Sequence, residues 1–474
     1  MSIPLDASAG AVVADSDGSP RGGVSNIPVG WDEVELGGIL RPVDREVRRI
    51  NISALDTYTL VSAQLYAKGI VLKDVVRGSA LKTKVWFRAR KGDFLLLKIW
   101  ARKGSYGFLT EDVSNAIVSG DYPILTLDER QADRDFLAYN LAQPHVWGAL
   151  GAGARGSTNR QRVHEREFLS ILRVPLPSLP EQRAIAETLR AVQQAKEATD
   201  AVIAATRELK KSLMRHLFTY GPVPVQEADR VPLKETEFGL VPEHWRVVPL
   251  RDVAHLFSGG TPSKARPEFW KGPVPWASPK DLKQPRLRDT EDHISEDGVR
   301  NGSRLVPAGS IFVVVRGMIL AKQIPVALTD VSMAFNQDMK AIVPLPVVDS
   351  VFLLYALEWN KRGLLMQIGT SAHGTRRLSS SSVEELAVGL PPLAEQVRIA
   401  ETMTAVDRKI DTEESRKQAL EALFNSLLHN LMTGKVRVGD LEYEEIWSTR
   451  GAKERERRES EGFDDSRSME QTSA

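Results

Sequence analysis

Leu176-Pro177-Ser178-Leu179-Pro180-Glu181-Gln182 recurs as Leu390-Pro391-Pro392-Leu393-Ala394-Glu395-Gln396, 214 residues further along the chain. The match continues without a gap through Ile185-Ala186-Glu187-Thr188 against Ile399-Ala400-Glu401-Thr402, then Ala191-Val192 against Ala405-Val406. It ends with Leu209, Ser212, Leu213, Leu217 and Thr219 against Leu423, Ser426, Leu427, Leu431 and Thr433. About 19 of roughly 50 paired positions are identical, far above chance, although the period is too long for a solenoid. The same offset pairs Pro28, Trp31 and Leu36 with Pro242, Trp245 and Leu250. The chain is therefore one unit written twice, over about residues 27–220 and 241–434.

Each unit has two parts. The first, roughly 140 residues, is rich in Gly, Pro, Val and aromatic residues with short apolar runs, the pattern of strands and loops with some helix. The second reads as a long helix. Ser178 or Pro180 opens the first copy, with Glu181 and Gln182 in its first turn. In the second copy Ile399, Met403, Val406 and Ile410, then Leu420, Phe424, Leu427 and Leu431, alternate by four and three as in a coiled coil, with Glu413 and Lys417 interrupting the middle. Ile185, Leu189, Val192, Ile203, Leu213 and Leu217 keep that register in the first copy, and Gly221 and Gly434 are natural stops. About 38 helical residues span about 57 Å, too long to be buried in one such domain, so each helix is expected to find its apolar partner in the other copy.

The 474 residues hold 63 Lys plus Arg, 62 Asp plus Glu and no Cys. A net charge of +1 names no charged partner, so any electrostatic site must be local. The missing Cys removes disulfides, Cys-ligated zinc, thiolate nucleophiles and thiolate-held iron–sulfur clusters, and suits a reducing, cytoplasmic setting. The longest apolar runs, Ser310–Val315 and Phe94–Leu97, are far short of the roughly 20 residues of a spanning helix. The first two dozen residues lack a charged and then apolar leader pattern and read as a mobile tail. Gly221–Leu240 carries several prolines and reads as an extended linker, and the mixed-charge stretch from Gly451 reads as disordered.

A basic strip runs from Arg77 to Lys103. It holds Arg77, Lys82, Lys84, Arg88, Arg90, Lys91, Lys98, Arg102 and Lys103 with one acid, Asp93, interleaved with Trp86, Phe87, Phe94 and Trp100. Such a strip suits phosphate contacts that position a duplex while neighbouring side chains read base edges; the bland alternative is a solvated strand face. The second copy repeats it more weakly through Arg300, Arg304, Arg316 and Lys322, then Lys361, Arg362, Arg376 and Arg377. Candidate DNA contacts are Lys82, Lys84, Arg88, Lys98, Arg102, Lys103, Arg160, Arg162, Lys264, Lys280, Arg316, Lys322, Arg376 and Arg377, with Ser105, Tyr106, Ser263 and Thr375 as lesser candidates. Gly151–Gly156 mimics a dinucleotide-binding glycine pattern, but no strand precedes it and no apolar helix follows, so it reads as a flexible basic loop. Gly259-Gly260-Thr261-Pro262-Ser263-Lys264 lacks P-loop spacing. There is no HExxH, no GxSxG and no Asn-Pro-Pro-aromatic or Asp-Pro-Pro-aromatic tetrapeptide, so catalysis has no visible seat. Glu181 and Glu395 sit at helix starts, where capping accounts for them.

The doubled Leu-Pro-x-Leu-x-Glu-Gln-x-x-Ile-Ala-Glu-Thr followed by a long helix resembles the specificity subunits of type I restriction-modification systems. So do the Pro-x-x-Trp opening, the loop Gly259–Lys264, Trp276-x-Ser278-Pro279-Lys280-Asp281-Leu282, Phe335-Asn336-Gln337-Asp338 and the closing Thr433-Gly434-Lys435-Val436-Arg437-Val438. The first copy lacks clear equivalents of the Gly-Gly-Thr-Pro loop and of the Asn-Gln-Asp segment, as expected if each half reads a different sequence. The resemblance implies an α+β fold: two mixed α/β target recognition domains joined by two long antiparallel helices, a coiled-coil spacer, in a pseudo-two-fold internal repeat. The expected boundaries are a tail at 1–24, recognition domains at 25–174 and 241–388, spacer helices at 175–220 and 389–434, a linker at 221–240 and a closing segment at 435–474.

The resemblance further implies a non-catalytic subunit that binds double-stranded DNA and recruits two modification subunits and the restriction subunits. No cofactor or metal would be bound directly; S-adenosylmethionine, ATP and Mg would act through those partners, and no membrane is involved. The helix interface is expected to use Ile185, Leu189, Val192, Leu213, Leu217, Ile399, Met403, Val406, Ile410, Leu420, Phe424, Leu427 and Leu431. The alternative of another class is a coiled-coil scaffold or dimerisation protein without DNA-sequence recognition.

Overall fold

The repeated Glu-Gln pair fixes where each long helix begins. The computed structural model describes residues 27–83, 85–152, 162–370 and 376–440. The long helices are Leu179–Tyr220 and Leu393–Met432. In the first turn of one, Gln182 is buried and makes three hydrogen bonds. Its Oε1 accepts from the Asp133 N–H at 2.8 Å, and its Nε2 donates to the carbonyls of Pro177 at 2.9 Å and Gln131 at 3.2 Å. Gln396 repeats the pattern on Asp349 N at 2.8 Å, Pro391 O at 2.9 Å and Val347 O at 3.2 Å. Asp133 and Asp349 in turn cap the domain helices Arg134–Leu141 and Ser350–Met366, each carboxylate accepting from backbone N–H groups of the first turn. One amide side chain therefore ties together a long helix, the Leu-Pro segment before it and the start of a second helix.

The chain forms two compact units, one from residues up to 197 together with those from 418 onward, the other from 198–417. In the first unit, strand Asp32–Glu35 pairs antiparallel with Arg173–Leu176 and leads into the long helix. One sheet has the order Arg49–Ile50, Trp86–Arg88, Ala116–Ser119, Thr57–Ala63, Ile70–Arg77, in which only Thr57–Ala63 and Ala116–Ser119 run parallel. A second sheet has the order Leu40–Pro42, Ile124–Leu127, Phe94–Leu96, Tyr106–Phe108.

The second unit repeats this plan. Arg246–Pro249 pairs with Ala387–Leu390, both shifted by 214 from the equivalent pair. One sheet reads Asp292–Ile294, Val274–Ala277, Met333–Phe335, Leu305–Val306, again with its single parallel pair between the two middle strands. The other reads Ala254–Ser258, Met339–Pro344, Ile311–Val314, Val326–Thr329, Arg286–Leu287. Four strands of each sheet thus keep their order and direction across the repeat where the sequences have diverged; the first unit adds the edge strand Arg49–Ile50 and the second adds Arg286–Leu287, which runs parallel to Val326–Thr329.

Within each unit the core takes in the helix ends. Ile185 and Leu189 of the first long helix and Leu431 and Met432 of the second join Phe94, Tyr106, Phe136 and Phe168 in one apolar cluster. Leu217, Phe218, Ile399 and Met403 similarly join Trp245, Phe312, Phe335 and Phe352. The apolar face expected to find its partner in the other copy is therefore also the wall of a domain core. Ile410 is buried too, while Val192, Leu213, Val406, Leu420, Phe424 and Leu427 are half-buried. The two helices run antiparallel in each unit: Lys196 meets Glu421 at 3.4 Å in the first, and Asp200 meets Lys417 at 2.6 Å and Arg207 meets Glu414 at 2.5 Å in the second. The polar interruption at Glu413 and Lys417 is thus filled by ion pairs, with Glu413 held by Lys409.

Two readings of the sequence are revised. The segment 221–240 is not simply extended; it carries a 3-10 turn at Val225–Arg230 and the hairpin Leu233–Thr236 with Gly239–Pro242. Glu181 and Glu395 act less as caps than as acceptors. Glu395 takes the indole N–H of Trp245 at 3.0 Å and bonds His244 at 2.8 Å, and Glu181 pairs with Arg437 at 2.6 Å, whose guanidinium lies 5.4 Å over the Trp31 ring. No helix among the described residues is long and apolar enough to cross a membrane. Replacing Gln182 with Ala strands a buried N–H and two carbonyls, so the variant is expected to lose roughly 1–3 kcal/mol. A urea midpoint unchanged from the parent would contradict the clamp.

Candidate nucleic-acid interface

In the first unit the strand Phe94–Leu96 runs out into the basic strip. Lys98 donates its N–H to the Asp121 carbonyl at 3.2 Å and accepts from the Val163 N–H at 3.0 Å. This places Arg162 beside Asp121, the guanidinium 3.3 Å from the carboxylate. Arg45 brackets the same turn, donating to the carbonyls of Gly120 at 3.0 Å and Tyr122 at 2.8 Å. Burial, then the Arg45 charge, pulls the Lys98 ammonium below the ordinary lysine range, while Asp121 and Glu165 oppose the shift. Lys98 is thus a half-buried cation.

The second unit builds the same place. Val315 N–H donates to Asp338 O at 2.9 Å and Leu378 N–H to Val315 O at 2.9 Å, the same two backbone bonds as around Lys98. Asp338 therefore corresponds to Asp121 and Arg377 to Arg162. The other cation lies one residue further along: Arg316 is 3.8 Å from the Asp338 carboxylate, its N–H donates to Asp338 O, and it forms an isolated antiparallel bridge with Arg377. Each unit thus carries one carboxylate flanked by two basic residues at an equivalent point of the fold.

Around Asp338 the three sequence motifs of the second copy converge. Gly259 and Gly260 lie against backbone: an added Cβ would stand 2.4 Å from Phe335 O at the first and 2.3 Å from Gly302 O at the second, so only glycine fits. Trp276 Nε1 donates to Gly260 O at 3.0 Å and Trp270 Nε1 to Ser263 O at 3.3 Å, holding the loop from below. Thr261 Oγ1 bonds the side chain of exposed Gln337. Exposed Lys264 lines a cavity of about 400 Å³ with Trp270, Trp276, Lys271 and Asp292.

The remaining candidates divide. Lys82, Arg88, Lys103, Ser263, Lys322 and Arg377 are exposed and Arg376 is half-buried; the Lys103 ammonium sits 5.1 Å over the Trp100 ring. Arg102 is partly engaged by Glu167 at 4.0 Å. Ser105 and Tyr106 are corrected: both are buried, Ser105 Oγ donating to Ala63 O at 2.8 Å and Tyr106 OH to Leu141 O at 3.0 Å. Burial also pushes the Tyr106 phenol far above its usual range. Lys280 is corrected as a free cation, since Glu291 at 2.7 Å and Asp292 at 2.8 Å neutralise it. Asp93, the lone acid of the strip, is buried against Arg48 at 2.9 Å. Lys84, Arg160 and Thr375 lie outside the described residues. No group of three or more His, Asp or Glu side chains among the described residues could hold a metal.

Sequence reasoning did not single out Arg45 and Asp121, and it quoted Gln337 and Asp338 only as part of a motif, not as partners of Thr261 and Arg316. It also missed a second repeat, Asp133-x-x-Phe136-Leu137-x-Tyr139-x-Leu141 against Asp349-x-x-Phe352-Leu353-x-Tyr355-x-Leu357, which is 216 residues apart and so escapes a gapless comparison at 214.

Residues 242–422 match the family model described as the type I restriction modification DNA specificity domain. The chain is 34% identical over 160 residues to the EcoR124I/EcoR124II specificity subunit of Escherichia coli, covering 33% of this chain and 40% of that protein. It is 24% identical over 427 residues to the MjaVIII specificity subunit of Methanocaldococcus jannaschii, covering 88% and 95%. The matches to the E. coli protein and to the MjaIX specificity subunit of M. jannaschii span 40% and 46% of those proteins, less than half of each. In fold it resembles the S subunit of a type I restriction-modification system from M. genitalium, with a TM-score of 0.54, 14% identity and coverage of 87% of this chain and 98% of that one.

Two outcomes follow for duplex binding. Arg316→Glu with Arg377→Glu should weaken binding and flatten the dependence of log K on log salt by about one unit for each phosphate no longer neutralised. An unchanged slope in a salt titration would place these residues away from the duplex. Because Lys98 titrates below the free-lysine value of about 10.4, affinity should fall as pH rises toward that value, and Lys98→Arg should remove the fall. Parallel pH curves for parent and Lys98→Arg would refute it.

Proposed function

We propose that this chain, which belongs to the DNA specificity subunits of type I restriction-modification systems, selects a bipartite, asymmetric DNA target with one half-site per recognition domain. The observation that carries this is the repeated carboxylate with two flanking bases, Asp121 with Lys98 and Arg162, and Asp338 with Arg316 and Arg377. Two domains of one topology that keep the same cationic point but differ in their surrounding loops suit a protein whose phosphate contacts are shared and whose base contacts are not. In this reading the recognition domains lie at 25–174 and 241–388, and Lys82, Arg88, Lys103, Lys264, Lys322 and Arg376 extend the phosphate contacts. Thr261 and Gln337 offer side-chain donors and acceptors of the kind that read adenine or other base edges.

The chain itself is the non-catalytic member. It brings DNA to two modification subunits, which use S-adenosylmethionine to methylate adenine, and to restriction subunits, which use ATP and Mg, in the cytoplasm. The long helices Leu179–Tyr220 and Leu393–Met432 are shared by both units and would set the gap between half-sites. A scaffold without sequence recognition is not favoured, because it gives no reason for the basic point to recur in each domain.

The test is to purify the chain with its modification subunits, let the complex methylate a random duplex library and sequence the modified adenines. A two-part motif with a fixed gap is expected. Exchanging residues 25–174 for the corresponding domain of a relative should change one part alone, and methylation without sequence preference would overturn the reading.

A further inference from the structure

Tyr66 and Ala67 are the only non-glycine residues among those described with positive φ, at 62° and 50°. Two successive L-residues in the left-handed region are disfavoured by sterics and persist only where the surroundings hold them. Here the surroundings are a neighbouring turn. Tyr66 N–H donates to Lys103 O at 2.6 Å and Ala67 N–H to Gly104 O at 2.8 Å, while Gln64 N–H closes the hairpin on Gly69 O at 2.9 Å. Gly104, itself at φ 70°, leaves no room for a side chain, since a Cβ would stand 2.7 Å from Ala67 N. The hairpin between strands Thr57–Ala63 and Ile70–Arg77 is thus stapled onto the turn that carries Trp100, Arg102 and Lys103.

The staple does not bury Tyr66. Its side chain remains 55% exposed, touching Trp147 edge-on at 6.0 Å between ring centroids, and its hydroxyl has no hydrogen-bond partner among the described residues. Trp100 is 38% exposed with Lys103 over its ring, and Lys68 and Lys103 are both exposed. The same turn leads back two residues to Lys98 and so to the cation point of the first unit. Ala67 and Trp147 pack against the apolar cluster of Phe94, Tyr106 and Phe168, so the strained turn is anchored on the core, while the Tyr66 ring itself is presented to solvent amid cations.

The second unit has no counterpart. The topologically equivalent connection, between Val274–Ala277 and Asp292–Ile294, is residues 278–291; it shows no residue at positive φ, and its Lys280 is neutralised by carboxylates. The feature is therefore specific to one recognition domain.

We infer that Tyr66, held out by the Lys103 and Gly104 carbonyls, is a specificity-determining residue that packs against bases of the half-site read by the first domain. Its ring offers an apolar face and its hydroxyl a donor and acceptor, and the flanking lysines meet phosphates on either side. The inference rests on the reading of the chain as a DNA specificity subunit. Lys103 and Gly104 act through Tyr66 and are positioning residues.

The test uses the complex with modification subunits and a methylation-selected duplex library, comparing Tyr66→Gly, Tyr66→Phe and the parent. Glycine relaxes the strained turn, so Tyr66→Gly should melt at or above the parent temperature. It should nevertheless lose about tenfold or more of its discrimination at bases of one half-site while keeping the other. Tyr66→Phe should keep the apolar contact and most of the discrimination. Parent-like selectivity in Tyr66→Gly overturns the inference, and so does an equal loss on all duplexes, which would mean a phosphate or folding role. If the parent complex itself shows no two-part motif, the specificity reading falls as well, an outcome distinct from failure at Tyr66 alone.

Discussion

The structure depends on one buried amide. Gln182 and Gln396 each donate both amide hydrogens, to the carbonyls of the Leu-Pro segment and of a domain loop, and accept at the amide oxygen from the N–H of a helix-capping aspartate. A buried amide with every partner made costs little, while one with a partner missing is expensive, so the arrangement is nearly all-or-none. It fixes how the sheets and short helices of each unit meet the long helix inside that unit. The apolar contacts of Ile185 and Leu189, or of Ile399 and Met403, then follow on the turns above. Glu181 and Glu395, one residue earlier, reinforce the same joint through Arg437 and Trp31 in one unit and through Trp245 in the other.

This explains why the repeat is legible in some places and lost in others. At the joint, a residue must match in size, polarity and hydrogen-bonding geometry at once, so Leu-Pro-x-Leu-x-Glu-Gln survives duplication. In the sheets, strands of two to eight residues need only keep apolar side chains on the buried face, and many residues satisfy that. Leu95 and Phe312, or Val118 and Phe335, are buried on comparable strands without sequence similarity. The common topology, with an equivalent parallel pair between Thr57–Ala63 and Ala116–Ser119 in one unit and between Val274–Ala277 and Met333–Phe335 in the other, therefore could not be read from the sequence, although the long helices and their stops could. The second repeat, from Asp133 and from Asp349, was visible in principle and hidden only by a two-residue shift.

The site was legible to the extent that it depends on charge. The basic strips were evident, but a sequence does not say which polar residues fold inward. Ser105 and Tyr106 sit among basic neighbours and are nevertheless buried: Tyr106 packs on Phe94 and Phe168, and Ser105, just before the strand Tyr106–Phe108, donates to the Ala63 carbonyl. Nor does it say which cations are already answered: Lys280 finds Glu291 and Asp292 only because strand Asp292–Ile294 folds back on Val274–Ala277. Tyr66 had no sequence signal, since its interest lies in a backbone angle.

The carboxylate at the centre of each cationic point bears on the near-zero net charge. A strip of unopposed lysines and arginines binds any duplex, through counterion release that is indifferent to sequence. Placing Asp121 3.3 Å from Arg162, and Asp338 3.8 Å from Arg316, lowers the local potential and holds one guanidinium in each domain in place. Non-specific affinity falls, while a contact that depends on direction is preserved. For a subunit whose task is to choose, affinity for the wrong duplex is the quantity to suppress, because competing sites vastly outnumber the target. A balanced charge with the bases set around buried or anchored acids is the composition such a protein would need. On the proposed function, the equality of cations and anions in this chain serves recognition as well as solubility.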